Sequence, residues 1–105
     1  MNPNSAKFRA GLIQMRSGRT PQANLDEAIR LIGEAKTAGA DYVLTPEMTN
    51  IMETSREKLL ATIAEEDKDI CLSAFRDLAR KHSIFVHIGS LAIKVSADKA
   101  ANRSY

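Results

Sequence analysis

Three short apolar runs mark the sequence, and longer segments with a helical repeat separate them. The runs are Phe8–Gln14, Tyr42–Leu44 and Ile84–Gly89, and their composition and spacing are typical of β-strands. The third is almost continuously apolar, which is characteristic of a strand covered on both faces. We therefore interpret all three as strands of a sheet that is buried on both sides.

Between the first two runs, apolar residues recur at intervals of three and four from Pro21 onward. This spacing predicts a helix that ends at Gly39, because glycine adopts the left-handed cap conformation without steric cost. A strand, a helix and a second strand joined by short loops predict a βαβ unit with parallel strands. The apolar positions of this helix are Leu25, Ala28, Ile29, Ile32 and Ala35.

The segment after the second run begins irregularly, so we interpret residues 48–52 as a loop that enters a short helix. Ser55 is the predicted cap of that helix, although Lys58 stands where a capping box has Glu or Gln. A longer amphipathic helix is predicted from Asp67 to His82. Its expected apolar face is formed by Ile70, Cys71, Ala74, Phe75, Leu78 and Ala79.

The last part of the chain is again strand-like. Leu91–Val95 is expected to continue the third strand after a bend at Gly89, residues 96–101 to form a turn, and Asn102 to open another strand. The element order is thus β-α-β-α-α-β-β, and residues 1–6 are expected to fray. A strand that ended at Tyr105 would leave an unpaired sheet edge, so we expect residues 1–105 to be one incomplete domain of a longer protein.

Composition narrows the function classes. A chain of 105 residues with 44% hydrophobic and 27% charged residues is typical of one small globular domain. The formal charge is only +2, and the basic residues are scattered, which argues against nucleic-acid binding. No apolar run is long enough to span a membrane, and no signal peptide is recognisable. The single cysteine fits a reducing compartment, so we expect a cytoplasmic protein.

Glu47 is the candidate functional residue. It follows the second strand directly after Pro46, which ends the strand because proline lacks the N–H needed for a central ladder. Open α/β sheets place their ligand crevices at the carboxyl ends of their strands. An ordinary solvated loop glutamate is the alternative, and the stretch alone leaves both readings open.

Several segments, taken together and in order, resemble the N-terminal portion of the carbon–nitrogen hydrolase (nitrilase) superfamily, nearest to its bacterial amidase-like members. The resemblance covers Phe8 to Tyr105. The segments are Ala10–Gln14, Asn24, Ala38–Glu47, Leu78–Ser90 and Asn102–Ser104, and Ala38–Glu47 is the most specific of them.

The resemblance implies a four-layer α-β-β-α sandwich with a Glu-Lys-Cys catalytic triad, in which Glu47 takes the role of the glutamate. In this chemistry a cysteine thiolate attacks an amide or nitrile carbon, the carboxylate transfers protons, and the lysine holds the oxyanion. The resemblance further implies a small-molecule amide or nitrile substrate, no cofactor, no metal, no nucleic-acid or membrane partner, and a homo-oligomer.

The chain departs from the family because the triad's lysine and cysteine are expected beyond Tyr105. Cys71 lies on the apolar face of a predicted helix and is interpreted as a core residue. Lys94 and Lys99 precede the Asn102 landmark and are interpreted as solvated charges. His82 and His87 lack metal-ligand spacing; His82 is interpreted as a helix-end residue and His87 as a strand residue.

Two functions therefore remain open. The first is an amide-cleaving hydrolase of which this chain is the glutamate-bearing front part. The second is a non-catalytic α/β module, either a truncated product or a flavodoxin-like domain that binds a small ligand or a partner. Met48, Asn50 and Met52 could contact a substrate or simply pack the loop. The sequence that follows Tyr105 would discriminate between the two functions.

Overall fold

The structure is a computed structural model that describes residues 7–105, so the expected fraying of residues 1–6 lies outside the described part. The predicted order β-α-β-α-α-β-β is confirmed, and the further strand that was predicted to open at Asn102 is present but begins earlier, at Lys99. The strands are β1 (Ala10–Leu12), β2 (Tyr42–Leu44), β3 (Phe85–His87), β4 (Leu91–Ser96) and β5 (Lys99–Arg103). The helices are α1 (Pro21–Thr37), α2 (Arg56–Thr62) and α3 (Ile70–His82), with a 3-10 turn at Glu66–Lys68.

The first three strands form a parallel sheet in the order β1-β2-β3, which confirms the predicted parallel arrangement of the βαβ unit. In the central row of this sheet, Val43 lies between Gly11 and Val86. Both outer strands are shorter than the apolar runs that predicted them. Because β2 is the central strand and all three strands are parallel, the end of β2, and with it Glu47, lies beside the ends of β1 and β3.

Helices α1 and α3 cover one face of the sheet. Gly11 permits the close approach of α1, because a Cβ at this position would lie 2.9 Å from the Cβ of Ala35. The buried side chains of the two helices meet Val43 and its neighbours in a single core. This core contains Leu25, Ala28 and Ile32 of α1 and Cys71, Leu72, Phe75 and Leu78 of α3.

The opposite face of the sheet is uncovered in this structure. Leu12 is 75% exposed and Phe85 is 78% exposed, so within this chain the strands are covered on one face only. Successive strand residues point to opposite faces, and the two helices can cover only one of them. Helix α2 does not help, because it packs against Ile51 and Ala92 instead. Two of the three helices, α1 and α3, thus cover a single side of the sheet.

Strand β4 exists as predicted but does not extend β3. It pairs antiparallel with β5 in a separate two-stranded sheet, with a turn at residues 97–98 rather than 96–101. The bend at Gly89 separates the sheets. A Cβ on Gly89 would lie 2.3 Å from the carbonyl oxygen of Thr45, so the backbone of the bend lies directly against the end of β2.

The predicted stop of α1 and the predicted N-terminal cap of α2 are confirmed. Gly39 follows α1 with φ +98°, the conformation for which glycine was assigned as the stop. The Ser55 side chain accepts a hydrogen bond from the Lys58 N–H at 3.3 Å and caps α2.

Helix α3 begins three residues later than predicted. The Asp69 carboxylate accepts a hydrogen bond from the Leu72 N–H at 2.8 Å, which makes Asp69 the cap. This start turns Ile70 outward, where it is 44% exposed, and buries Leu72, which the sequence did not place on the apolar face. Within residues 7–105, no helix is long and apolar enough to cross a membrane.

Candidate functional site

Glu47 lies in the turn directly after β2, at the carboxyl end of the parallel sheet, as the sequence placed it. Its side chain is exposed and lines a concavity of about 440 Å³ between the sheet end and the β4–β5 hairpin. The other lining residues are Leu44, Thr45, Pro46, Gly89, Ser90, Asn102 and Ser104. Glu47 is the only charged group among them.

Ser90 fixes the turn that carries Glu47. Its Oγ accepts a hydrogen bond from the Met48 N–H at 2.8 Å, and its carbonyl accepts one from the Thr49 N–H at 2.9 Å. In return, the Ser90 N–H donates to the Pro46 carbonyl at 3.3 Å. Met48 has φ +53°, a left-handed conformation that costs a non-glycine residue roughly 1 kcal/mol or more. The three bonds to Ser90 hold this conformation in place.

Two threonine hydroxyls complete the turn from inside. Thr49 Oγ1 donates to the Pro46 carbonyl at 2.6 Å and lies 2.8 Å from Thr45 Oγ1, and both side chains are buried. Thr45 Oγ1 also accepts a hydrogen bond from the Gly89 N–H at 3.2 Å. The backbone on both sides of Glu47 is thus bonded to the Gly89–Ser90 bend.

Asn102 contacts the Glu47 carboxylate directly. Its Nδ2 donates to Glu47 Oε1 at 3.0 Å from the neighbouring strand β5. The sequence marked Asn102 only as part of the family resemblance, and it gave no role to Ser90 or Thr45. No local signal could have found these contacts, because each joins residues that are more than 40 positions apart.

Cys71 is a core residue, as predicted. Its side chain is fully buried in α3 and does not line the concavity around Glu47. Burial raises the pKa of the Cys71 thiol from 9.0 to about 12, and the nearby Asp69 carboxylate adds to the shift. Because the thiolate is the nucleophilic form, this raised pKa and the burial of the thiol both disfavour a role for Cys71 as a nucleophile at neutral pH.

We expect Cys71 to resist an aromatic disulfide reagent in the native chain at about pH 8 and to react at least about 100-fold faster in denaturant.

The raised pKa of the Cys71 thiol also makes the stability of the chain depend on pH. The unfolded thiol ionises above about pH 8.5, where the native thiol stays protonated. The contribution of the thiol to the free energy of unfolding should therefore be constant below that pH. Above it, this contribution should fall by up to about 1.4 kcal/mol per pH unit, until the pH reaches about 12.

Urea unfolding at several pH values measures this slope, and Cys71→Ala is the matched variant that should lose it. Other groups that titrate at high pH affect both proteins equally, so the difference between them isolates the thiol. Rapid labelling of the native wild-type chain at about pH 8 would show that Cys71 is accessible and that its assignment to the core is wrong.

The remaining candidate residues lie outside the Glu47 concavity. Lys94 is half-buried in β4 and Lys99 is exposed in β5. His82 is the last residue of α3, and His87 is an exposed residue of β3, as their interpretations required. His87 Nε2 lies 3.2 Å from Ser104 Oγ, and its Nδ1 contacts the Tyr42 hydroxyl. Residues 7–105 contain no group of three or more potential metal ligands.

The loop after Glu47 packs inward for most of its length. Asn50 is 2% exposed, and its side-chain amide is bonded to the backbone of Ala92, so loop packing is its observed role. Met48 packs against the Ile51 cluster, whereas Met52 is half exposed. Of the two roles that the sequence left open for this loop, substrate contact and loop packing, the structure shows packing for Asn50.

Solved structures with the same fold support the architecture. The C. elegans NitFhit protein matches with a TM-score of 0.79 and 23% identity over 92% of this chain and 24% of that one. The NitN amidase from Neterenkonia sp. AN1 matches with a TM-score of 0.77 and 25% identity, over 93% of this chain and 38% of the amidase chain. Saccharomyces cerevisiae Nit3, a member of branch 10 of the nitrilase superfamily, matches with a TM-score of 0.68 and 22% identity. The match covers 92% of this chain and 38% of Nit3.

This chain therefore spans between 24% and 38% of the length of these three proteins. No match was found among curated protein sequences. The chain has an α/β fold that matches nitrilase-fold structures over most of its length. Residues 9–105 match the carbon–nitrogen hydrolase family, to which this chain belongs.

Proposed function

We propose that this chain contributes the glutamate of a hydrolase that cleaves the carbon–nitrogen bond of a small amide or nitrile. The observation that carries the proposal is the placement of Glu47. It lies at the carboxyl end of the sheet, in a concavity, on a turn whose neighbouring residues Pro46, Met48 and Thr49 bond to Ser90 through their backbone. Amide cleavage is favoured over nitrile cleavage because one structural neighbour with 25% identity is an amidase.

The proposed reaction needs three groups, of which the described residues supply one. A cysteine thiolate attacks the amide carbon, and Glu47 accepts the thiol proton and passes a proton to the departing nitrogen. The carbon–nitrogen bond breaks, ammonia or an amine leaves, and a thioester remains. Glu47 then removes a proton from water, which attacks the thioester and releases the acid and the thiol. A lysine cation stabilises the oxyanion at both stages.

The lysine and the cysteine are proposed to follow Tyr105 in a longer protein. Neither residue type lines the Glu47 concavity in the described part of the chain. The substrate is proposed to be a small molecule, the longer protein a cytoplasmic homo-oligomer, and no cofactor is needed for the chemistry. For the 105-residue chain taken alone, the missing nucleophile favours the second candidate function, a non-catalytic α/β module.

The proposal is tested with the protein encoded by the whole gene. The sequence after Tyr105 should contain a lysine and, after a further strand, a cysteine. Ammonia release from a panel of small amides and nitriles should then fall by about 1,000-fold or more in Glu47→Gln, because a general base contributes about 10² to 10⁴ and serves both halves of the reaction.

Glu57→Gln is the matched control, because Glu57 is an exposed carboxylate in the first turn of α2 and should leave the rate unchanged. Circular dichroism of both variants would show whether the fold is retained. A gene that encodes no downstream lysine and cysteine, or a Glu47→Gln protein with wild-type turnover, would contradict the proposed function.

A further inference from the structure

The hydrogen bond from Asn102 to Glu47 points to a role that the triad chemistry does not include. We propose that Asn102 is a positioning residue that sets the direction of the Glu47 carboxylate, and that Asn50 anchors the strand from which Asn102 acts. This inference rests on the proposed function, since it assigns a task to Asn102 through Glu47. The bond joins Asn102 Nδ2 to Glu47 Oε1 at 3.0 Å.

Asn50 anchors the hairpin to the loop that begins with Glu47. Its Nδ2 donates to the Ala92 carbonyl at 2.9 Å, and its Oδ1 accepts the Ala92 N–H at 2.9 Å. Ala92 is the direct partner of Asn102 in the β4–β5 ladder. The amide side chain of Asn50 thus takes the place of a neighbouring peptide group and fixes the row of the hairpin that contains Asn102.

Helix α1 supports Asn50 in turn. Asn24, in the second turn of α1, donates through Nδ2 to the Asn50 carbonyl at 2.8 Å and to the Gly18 carbonyl at 2.9 Å. Its Oδ1 accepts the Gly18 N–H at 2.8 Å. Asn24 and Asn50 are both at most 5% exposed, so losing one of these bonds would leave buried polar groups unpaired. Hydrogen bonds thus link α1 through Asn50 to Ala92 of β4, and Ala92 is the strand-pairing partner of Asn102, which donates to the Glu47 carboxylate.

A neutral donor suits this task. A carboxylate has two oxygens, and a single N–H donor on Oε1 leaves Oε2 available to accept a proton from a nucleophile or from water. Lysine or arginine at position 102 would also orient the carboxylate, but its charge would compete for the group that must act as a base. An exposed glutamate side chain otherwise samples several rotamers, and ordering it has a cost in conformational entropy. Asn102 counters that freedom without adding charge.

The orientation can be measured on the 105-residue chain by NMR. In the wild type, the two Glu47 Hγ protons should have distinct shifts and couplings typical of one rotamer, and Asn102→Ala should average them. Glu47→Ala should move the Asn102 side-chain amide protons upfield, because their acceptor is removed. Arg103→Ala is the matched control: it is the neighbouring residue of β5, also exposed, and its guanidinium lies near Glu66 instead.

These variants are chosen because Asn102 is exposed, so its substitution leaves no buried group unpaired. Asn50→Ala would unpair the Ala92 backbone and is expected to destabilise the chain, so it does not carry the test. Glu47 signals that are averaged already in the wild type, or that stay unchanged in Asn102→Ala, would overturn the proposal.

The kinetic consequence is measured on the gene's full-length protein. Asn102→Ala should lower kcat by about 100-fold, the usual cost of a misplaced catalytic group, with little change in KM. Asn102→Gln, which keeps the amide donor, should recover part of the loss. Equal kcat values in the wild type and Asn102→Ala would overturn the positioning role. An inactive wild type with an intact NMR contact would instead refute the proposed function and leave the orientation of Glu47 by Asn102 established.

Discussion

The 105-residue chain should release no measurable ammonia from small amides or nitriles. Its described residues place one carboxylate, Glu47, at the concavity and bring neither a thiol nor a lysine to it. The one cysteine, Cys71, is fully buried, and burial raises its pKa to about 12. Losing the nucleophile from a catalytic unit costs on the order of 10⁶-fold in kcat, which is beyond the range of a routine assay.

The measurement is an ammonia-release assay of the purified chain with glutamine-like amides and simple nitriles. Cys71→Ser is the informative variant, because it removes the only sulfur nucleophile in the sequence while keeping nearly the same volume. We expect wild type and Cys71→Ser to be equally inactive. Turnover by the wild-type chain that disappears in Cys71→Ser would show that Cys71 reaches a substrate.

The same chain should self-associate through the uncovered face of its parallel sheet. Phe8, Leu12 and Phe85 are 72%, 75% and 78% exposed, and Leu12 and Phe85 belong to neighbouring rows of that face. Fully burying one such side chain contributes roughly 1.5–3 kcal/mol. Contiguous exposed apolar patches on a protein surface often mark sites of association. A second sheet covers this face in the fold that the family resemblance implies.

Size-exclusion chromatography over a range of concentrations, with thermal unfolding of the same samples, tests the association. The double variant Leu12→Lys and Phe85→Lys should elute as a monomer where the wild type elutes as a larger species. Ile29→Lys is the control, because Ile29 is a partly exposed residue of α1, on the covered side of the sheet. A longer chain that supplies the second sheet should melt cooperatively.

A monomeric wild-type chain would contradict this expectation if its melting transition were sharp and independent of concentration. It would mean that both faces of the sheet are already covered within the chain. A result in which Ile29→Lys and the double variant dissociate equally would mean that the association does not use this face.

The type and order of the elements followed from the sequence because each depends on a short-range pattern. The apolar spacing between Pro21 and Gly39 has the helical period, and it required no knowledge of what α1 packs against. The position of Glu47 followed in the same way, since Pro46 ends β2 and parallel strands share one carboxyl edge. Cys71 fell in the core because its helix has a single apolar face.

Contacts between distant segments decided what the sequence left open. An apolar run such as Leu91–Val95 has the same pattern whether it extends β3 or pairs with β5. The choice was made by the backbone contact of Gly89 with the end of β2 and by the pairing of Asn50 with Ala92. Exposure of Phe85 was likewise decided by the number of helices that reach the sheet. A strand's pattern reports what it can bury, whereas only its neighbours determine what is buried.

The same distinction between local pattern and distant contacts applies to the functional site. Glu47 was visible in the sequence because its place depends on the strand directly before it. Ser90 and Asn102 could not be recognised as its partners. Ser90 bonds to Met48, which is 42 positions away along the chain, and Asn102 bonds to Glu47, which is 55 positions away. Hydrogen bonds over such separations have no sequence period, since they form only after the β4–β5 hairpin folds back over the end of β2. The sequence by itself determined where the carboxylate lies, and the tertiary structure determined what holds it.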